Sequence, residues 1–514
     1  MKVKLSDPIL KPLSDEQMHS LSKRDLLIVL KHEQRLRQFY EDCARLMEEK
    51  IFEVAGQLYR VKASLYGPSS EKSPRQLPDR DKKPKDKAAR TSKLPSERYP
   101  NAEIMDEDIT CLELPSCRCC GETMQDSGMV ETTEYLTVIP KKYIVVRQHR
   151  HKYRCGQCHG DIQTTPAAPR VVPGSSYSDE MIVDATLSKY FDLIPMERYC
   201  QMAGRLGFPG LPPQSMIEAS FKLAHFFKGV YDRLRQETLN TSVLLADETP
   251  HKMLEGDPKK RWFLWGFLSN ESCFYECHDT RSGDVATALL QQSSCDVLLT
   301  DVYSGYRKAV RETNELRGAE GRAAIQSAYC NSHARRGFKN SEFEAPAEAK
   351  FMIDQYKAIY QLEEIVRLKP LDTIQGSRNE MRPHFEAMKA YAENTTDGFS
   401  SKSSISQALN YFLKNYDGLT LCLSNPKIPL DNNPTERLLR GPVVGRKTWY
   451  GTHSRAGAEV LAIHFSLVEA CKLNKINPRS FYTDTIERIH AKKTIMTPRE
   501  YCASLLVLVP PESS

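Results

Sequence analysis

The chain has no apolar run approaching the ~18 residues that a membrane-spanning helix needs. Its first residues, MKVKLSDPILKPLSDEQ, contain no apolar core of the secretory type. The expectation is a chain that stays where it is made, in the cytoplasm. Excess charge is also small, with a formal net charge of +6 over 514 residues, so any polyanionic partner must be met by local basic segments. Fifteen cysteines are present, and in a long unsecreted chain they read as thiols or metal ligands rather than as a disulfide framework. Hydrophobic residues at 40% and charged residues at 27% fit a globular protein with polar linkers, and the length exceeds one ordinary domain.

Residues 1–66 form an N-terminal helical region. Leu36, Phe39, Cys43, Met47, Ile51, Val54, Leu58, Val61 and Leu65 step by three or four with one stutter near Met47. The seam predicts either a self-associating coiled coil or an amphipathic helix lying on its own domain. Residues 67–110 are a basic, Pro-rich linker. From Glu71 to Arg98 there are ten basic and five acidic residues and few apolar ones, too few to bury a core.

Residues 111–165 carry two C-x-x-C pairs, Cys117 with Cys120 and Cys155 with Cys158. Two such knuckles can hold one structural Zn²⁺ tetrahedrally, the alternative being four buried unligated thiols. Between them, TEYLTVIP and KKYIVVRQHRHKYR alternate like strands and predict a hairpin across the gap. Residues 176–240 read as helices, with a GFPG turn between two of them. That is either helix-turn-helix base readout or plain helical packing.

Residues 241–470 form the catalytic candidate. TSVLLAD ends an apolar run on Asp247, RWFLWGFLS and ESCFYECHD form a hairpin-like pair, RSGDVATALLQQ is helical, CDVLLTD ends on Asp301, and IQSAYC is a further strand. Acids at the ends of the first and fourth strands of a mixed sheet predict a ribonuclease-H-like layout. Carboxylates suit Mg²⁺, and two ions about 3.5–4 Å apart can activate one phosphodiester oxygen and stabilise the other. About 345–425 reads as a helical insertion, and 471–514 as a C-terminal helical tail.

Several blocks together resemble the insertion sequence 66 family of transposases, the TnpC type. They are ADETP (246–250), TDVYSGY (300–306), CNSHARRGF (330–338) and DNNPTERLLRGPVVGRKTWYGTHSRAGAE (431–459). LYGPSSEK (65–72), the two C-x-x-C pairs, SKYFDLIPMERYCQMAGRLGF (188–208) and INPRSFYTDTIERI (476–489) extend the likeness over most of residues 30–490. The resemblance implies a DDE transposase: metal-dependent cleavage at the element's ends, then transfer of the 3′-hydroxyl into target DNA. By block the three acids fall on Asp247, Asp301 and Glu436, holding two Mg²⁺ or Mn²⁺ ions, with Asp431 as a rival third acid. Val302 stands where the family usually has glycine, and Pro434 and Thr435 stand where alanine is commoner. Cys330 and His333 match a C-x-x-H element that supports such a site or touches DNA; a strand-end cysteine and a helix-cap histidine are the alternative. Arg437, Arg440, Arg446, Lys447 and Arg455, with Trp449 and Tyr450 among them, form an acid-free stretch suited to phosphates and unpaired bases. Implied partners are terminal inverted repeats, target DNA, further copies of the chain on DNA and small accessory proteins. The rival functions are a ribonuclease-H-fold nuclease or resolvase that does not join strands, and an inactive zinc-dependent DNA-binding protein.

Overall fold

The computed structural model describes scattered positions between 22 and 50 and then residues 94–507, less 109–114, 117, 125–129, 156, 158–161, 258–259, 367 and 370. Two compact units divide the chain. One holds Met1–Gly67, Arg150–Gln201 and Gly210–Ser514, the other Pro68–His149 and Met202–Pro209. Described positions between 23 and 43 are helical and almost all exposed, whereas the rest of the expected seam, and the linker up to residue 93, lie outside the described residues.

In the smaller unit the expected hairpin does not form: residues 133–149 have no strand pairing among the described residues. Val138, Ile139, Val145 and Val146 are 70–87% exposed, so no second layer covers the alternating apolar positions. Without such a layer a two-stranded ribbon is marginal at best. In the larger unit, strand β1 (Lys152–Arg154) pairs antiparallel with β2 (Ile162–Thr164).

The larger unit is built on a five-stranded mixed sheet of β3 (Val243–His251), β4 (Trp262–Leu268), β5 (Cys273–His278), β6 (Val297–Thr300) and β7 (Gln326–Tyr329), in the order β5-β4-β3-β6-β7. β3, β4 and β5 form an antiparallel meander, while β6 pairs parallel with β3 and β7 parallel with β6. The two parallel steps need crossovers, and helices supply them.

Those helices follow from local signals. α1 (Asp179–Tyr190) starts at Ser178, whose hydroxyl accepts from the Met181 amide. α2 (Met196–Arg205) precedes a turn with Gly207 and Gly210 at positive φ, and α3 (Pro213–Phe226) follows it. α3 buries Met216, Ala219, Leu223 and Ala224, as a packing helix does. α4 (Lys228–Leu239) leads into β3. α5 (Gly283–Gln291), capped by Ser282, joins β5 to β6. α6 (Ser304–Ala319), which the sequence reading leaves unassigned, is the β6-to-β7 crossover.

α7 (Asn331–Ser341) follows β7, and the stretch read as a helical insertion, about 345–425, holds α8 (Pro346–Val366), α9 (Leu371–Arg378), α10 (Arg382–Thr395), α11 (Ser404–Lys414) and α12 (Tyr416–Thr420). A buried ion pair closes it. Arg378 donates through Nε and Nη2 to the two Glu363 oxygens at 3.1 and 2.9 Å, and through Nη1 to the Ile428 carbonyl at 2.6 Å. With both side chains at 5% exposure or less, neither charge can be left alone. α13 (Asn433–Trp449) and α14 (Arg455–Leu473) then cross the sheet, followed by α15 (Pro478–His490) and α16 (Pro498–Val507). α13 packs on β3 and β4, and α14 on β5. Among the described residues no helix is long and apolar enough to cross a membrane.

Candidate active site

Asp247 does not end its strand, as the apolar run predicts, but sits in the middle of β3. The reason is the two partners of β3. β6 pairs only as far as Leu245, whereas β4 continues alongside through His251. Asp247 therefore lies just beyond the point where the parallel neighbour stops, and Asp301 directly follows the last residue of that neighbour. This geometry brings the two acids together.

Glu436 comes from the first turn of α13, and three buried contacts fix that turn. Asn432 donates through Nδ2 to the Ala246 carbonyl at 3.0 Å, one residue before Asp247. Its amide donates to Cys330 Sγ at 3.2 Å, and Thr435 donates to Asn432 Oδ1 at 2.8 Å. Pro434 falls in the first turn of α13, where a missing amide hydrogen costs nothing. Further along, Gly266 lies opposite Asp247 on β4, and a Cβ there would stand 3.2 Å from Leu439. The Tyr275 hydroxyl donates to the Leu438 carbonyl at 2.6 Å. Asp247 thus faces α13.

The electrostatics record the convergence. Burial, then the carboxylate of Glu248, then those of Asp301 and Glu436 push Asp247 up to about 7, against a backbone hydrogen bond from the Glu248 amide that pulls it down. Asp431, the rival acid, has another task. It is 1% exposed, and its carboxylate accepts from the Asn433 amide at 3.1 Å and from Asn433 Nδ2 at 2.7 Å, as a turn-forming aspartate does.

Cys330 is fully buried at the N-cap of α7, and burial pushes its thiol up to about 12, so it serves as a neutral acceptor fastening α13 to α7. His333 Nδ1 is 3.8 Å from Glu436 Oε1, an ion-pair separation too long for a hydrogen bond. Cys330, His333 and Glu436 have ligand atoms within 4.8 Å of one another. Asn331, which the sequence gives no reason to single out, donates to the Leu419 and Leu430 carbonyls at 2.9 and 3.0 Å and ties the insertion to this corner.

The basic stretch runs outward from the same helix. Arg437, Arg440, Lys447 and Arg455 are exposed and Arg446 is half-buried. Arg455 lies 3.6 Å from Glu459. Trp449 is half-buried, its ring 6.4 Å from that of Tyr190 and 5.7 Å from Lys189 Nζ, whereas Tyr450 is 71% exposed. The end of the stretch is anchored on β3's far end. Thr452 donates its amide to the Lys252 carbonyl at 3.0 Å, and His251 Nε2 lies 2.8 Å from Thr452 Oγ1. Gly451, at φ +122°, leaves no room for a Cβ beside the Lys252 carbonyl. Burial, then the charge of Arg446, brings His251 down to about 4, so it stays a neutral hydrogen-bonding group.

Of the four expected zinc ligands, Cys120 and Cys155 are described and exposed, while Cys117 and Cys158 lie outside the described residues.

The family model described as "Transposase IS66 family" matches residues 174–460, more than half of the chain and all of the sheet, α13 and the insertion between them. The chain belongs to the IS66 transposase family. A second model, the zinc-finger binding domain of transposase IS66, matches residues 115–159 and spans both C-x-x-C pairs. An IS66 zinc-finger region supports a structural Zn²⁺, and a transposase carrying one implies DNA as its partner. The chain is 25% identical over 401 residues to the uncharacterized protein y4jD of Sinorhizobium fredii (strain NBRC 101917 / NGR234), covering 76% of this chain and 77% of that one. It is 22% identical over 420 residues to y4hP of the same strain, covering 76% and 74% respectively.

Proposed function

We propose that this IS66-family chain is a DDE transposase whose catalytic carboxylates are Asp247, Asp301 and Glu436. It cuts DNA at the ends of its element and joins the freed 3′-hydroxyl to target DNA. The observation that carries the reading is the placing of Asp301, at the end of β6, and of the Glu436 turn, bonded to the Ala246 carbonyl, beside Asp247; burial, then the neighbouring Glu248, and lastly Asp301 and Glu436 push Asp247 up to about 7. Three acids from a strand, a strand end and a helix turn repel one another at this point, and divalent cations would offset that repulsion. All three offer hard oxygen donors, so the donor set fits Mg²⁺ or Mn²⁺. Bound there, two such ions would activate the attacking oxygen and stabilise the leaving oxygen of an in-line displacement. A meander followed by two parallel strands, in the order β5-β4-β3-β6-β7, supports a ribonuclease-H-like core.

The protein's own contributions are placement and charge. Asn432 and Thr435 hold the Glu436 turn against β3. Arg437, Arg440 and Lys447 project from the same helix, within reach of a phosphate backbone running past the acids, and Arg446 and Arg455 extend that grip. Trp449 braces the stretch against Tyr190. Cys330 and His333 support Glu436 from α7. Cys117, Cys120, Cys155 and Cys158 hold one Zn²⁺ in a module that binds the inverted repeats. Assembly of several copies on DNA, with the element's accessory proteins, completes the proposal.

The test is cleavage of a labelled element end followed by strand transfer into a plasmid. Asp247→Asn, Asp301→Asn and Glu436→Gln should each abolish cleavage while end binding persists. Wild-type cleavage by any one of them removes that residue from the site. Cleavage without strand-transfer products under any condition would assign the chain to the nucleases instead.

A further inference from the structure

The blocks ADETP and TDVYSGY contain more than one acid each, and the remaining residues have a shared task. Glu248 follows Asp247 on β3, so its side chain leaves the opposite face of the sheet. There it is 1% exposed, a buried carboxylate that faces away from α13. Arg281, in the turn before α5, donates to Glu248 Oε1 from Nε at 2.7 Å and approaches it through Nη2 at 2.6 Å. Tyr306, on the first turn of α6, donates its hydroxyl to Glu248 Oε2 at 2.5 Å. Both carboxylate oxygens are therefore taken up.

Tyr303 links this cluster to Asp301. Tyr303 donates its amide to Asp301 Oδ1 at 3.0 Å and its hydroxyl to the Arg281 carbonyl at 2.8 Å. The Arg281 guanidinium carbon stacks 4.1 Å from the centre of the Tyr303 ring. Gly305 and Gly283 allow the two turns to meet, since a Cβ on Gly283 would stand 2.5 Å from the Gly305 carbonyl oxygen. Tyr306 also meets Trp265 edge to face at 5.8 Å, and Trp265 is the β4 residue paired with Glu248.

We propose that Glu248, Arg281, Tyr303 and Tyr306 form a clamp through the sheet that sets the position of Asp301 relative to Asp247. Glu248 is thus a positioning residue and not a metal ligand. The proposal rests on the reading of Asp247 and Asp301 as metal-binding acids. Its physical basis is that each acid is rigidly joined to the clamp. Asp247 is linked through one peptide bond to Glu248, and Asp301 through the Tyr303 amide and the start of α6. Asp247 and Asp301 would hold a cation only at a fixed separation, and groups behind the two acids would supply it. Tyr306→Phe keeps the ring and its packing on Trp265 but drops one of the clamp's hydrogen bonds. Glu248→Gln keeps the size and loses the charge that Arg281 meets.

The experiment is calorimetric titration of the full-length protein with Ca²⁺, alongside the Mg²⁺ concentration needed for half-maximal cleavage of a labelled element end. Tyr306→Phe and Glu248→Gln should each raise both values about tenfold, the usual effect of removing a group that orients metal ligands. Saturating Mg²⁺ should restore most of the cleavage rate. Arg281→Lys, which keeps the charge without the fork, should fall between them and the wild type. Unchanged Ca²⁺ affinity in a folded Tyr306→Phe protein overturns the clamp, and this variant suffices if Glu248→Gln fails to fold. Complete loss of cleavage by folded Glu248→Gln at every Mg²⁺ concentration also overturns it, because Glu248 would then be a ligand. The underlying reading fails by a separate result: Asp247→Asn and Asp301→Asn proteins that bind Ca²⁺ as the wild type does.

Discussion

Asp247→Asn should stabilise the metal-free protein, although it removes a residue proposed to be essential. Burial and the surrounding carboxylates raise Asp247 from an ordinary value of 3.8 to about 7. At ~1.4 kcal/mol per pH unit, that difference is worth roughly 4 kcal/mol of native-state penalty at alkaline pH. The sign follows from proton counting. Between about pH 4 and pH 7 the folded chain holds a proton on Asp247 that the unfolded chain has lost, so stability falls as pH rises through this window. An amide is never charged but still pays for burial, so about half of the penalty, roughly 2 kcal/mol, should be relieved. For a unit of this size that is a rise in melting temperature of about 3 °C. The assay is thermal denaturation of zinc-loaded protein at pH 8 in magnesium-free buffer, repeated at pH 5. The gap between variant and wild type should narrow at pH 5. Adding Mg²⁺ at ~100 times its Kd should stabilise the wild type by about 2.7 kcal/mol and leave the variant unmoved. A variant that melts at or below the wild type at pH 8 without Mg²⁺ would refute the crowding of acids from which the site is inferred.

The remaining predictions concern other parts of the molecule. Arg378→Met should destabilise the protein by about 3–5 kcal/mol because it strands Glu363, and adding Glu363→Leu should recover most of the loss; denaturant titration of the single and double variants measures both. Replacing Arg446 and Lys447 together with alanine should weaken DNA binding and lower the slope of log affinity against log salt by about 2, read by fluorescence anisotropy across a salt series; an unaltered slope would mean the pair meets only solvent. Purified protein should carry one zinc ion, and Cys155→Ala with Cys158→Ala should lose it by elemental analysis; retention would assign the metal to other residues.

Elements with a clear local rhythm are legible in the sequence. The β4–β5 pair, the helix from Gly283 and the long helices of the insertion lie where apolar periodicity sets them. What misleads is the dependence of a strand on its neighbours. TSVLLAD reads as a strand ending on Asp247 because its apolar run ends there, yet β4 carries the strand on to His251. The alternation in 133–149 has the opposite fate, since no partner layer covers it. At the site, the blocks around Asp247, Asp301 and Glu436 stand out in the sequence. Glu248, Arg281 and Tyr306 do not, because their relation is three-dimensional: a strand side chain, a turn and a helix start meet behind the sheet. Asn432 is equally silent until its amide is seen on the Ala246 carbonyl.

That one amide has a consequence for the order in which the protein is made. Asp247 and Asp301 leave the ribosome long before residue 432, and the bond to Ala246 cannot form until the whole insertion has been synthesised and folded back. A nascent or prematurely terminated chain therefore holds two of the three acids proposed for the site and lacks the turn that carries the third. On the proposed reading, a half-made chain would be unable to cut DNA until Glu436 had been synthesised and folded back onto β3.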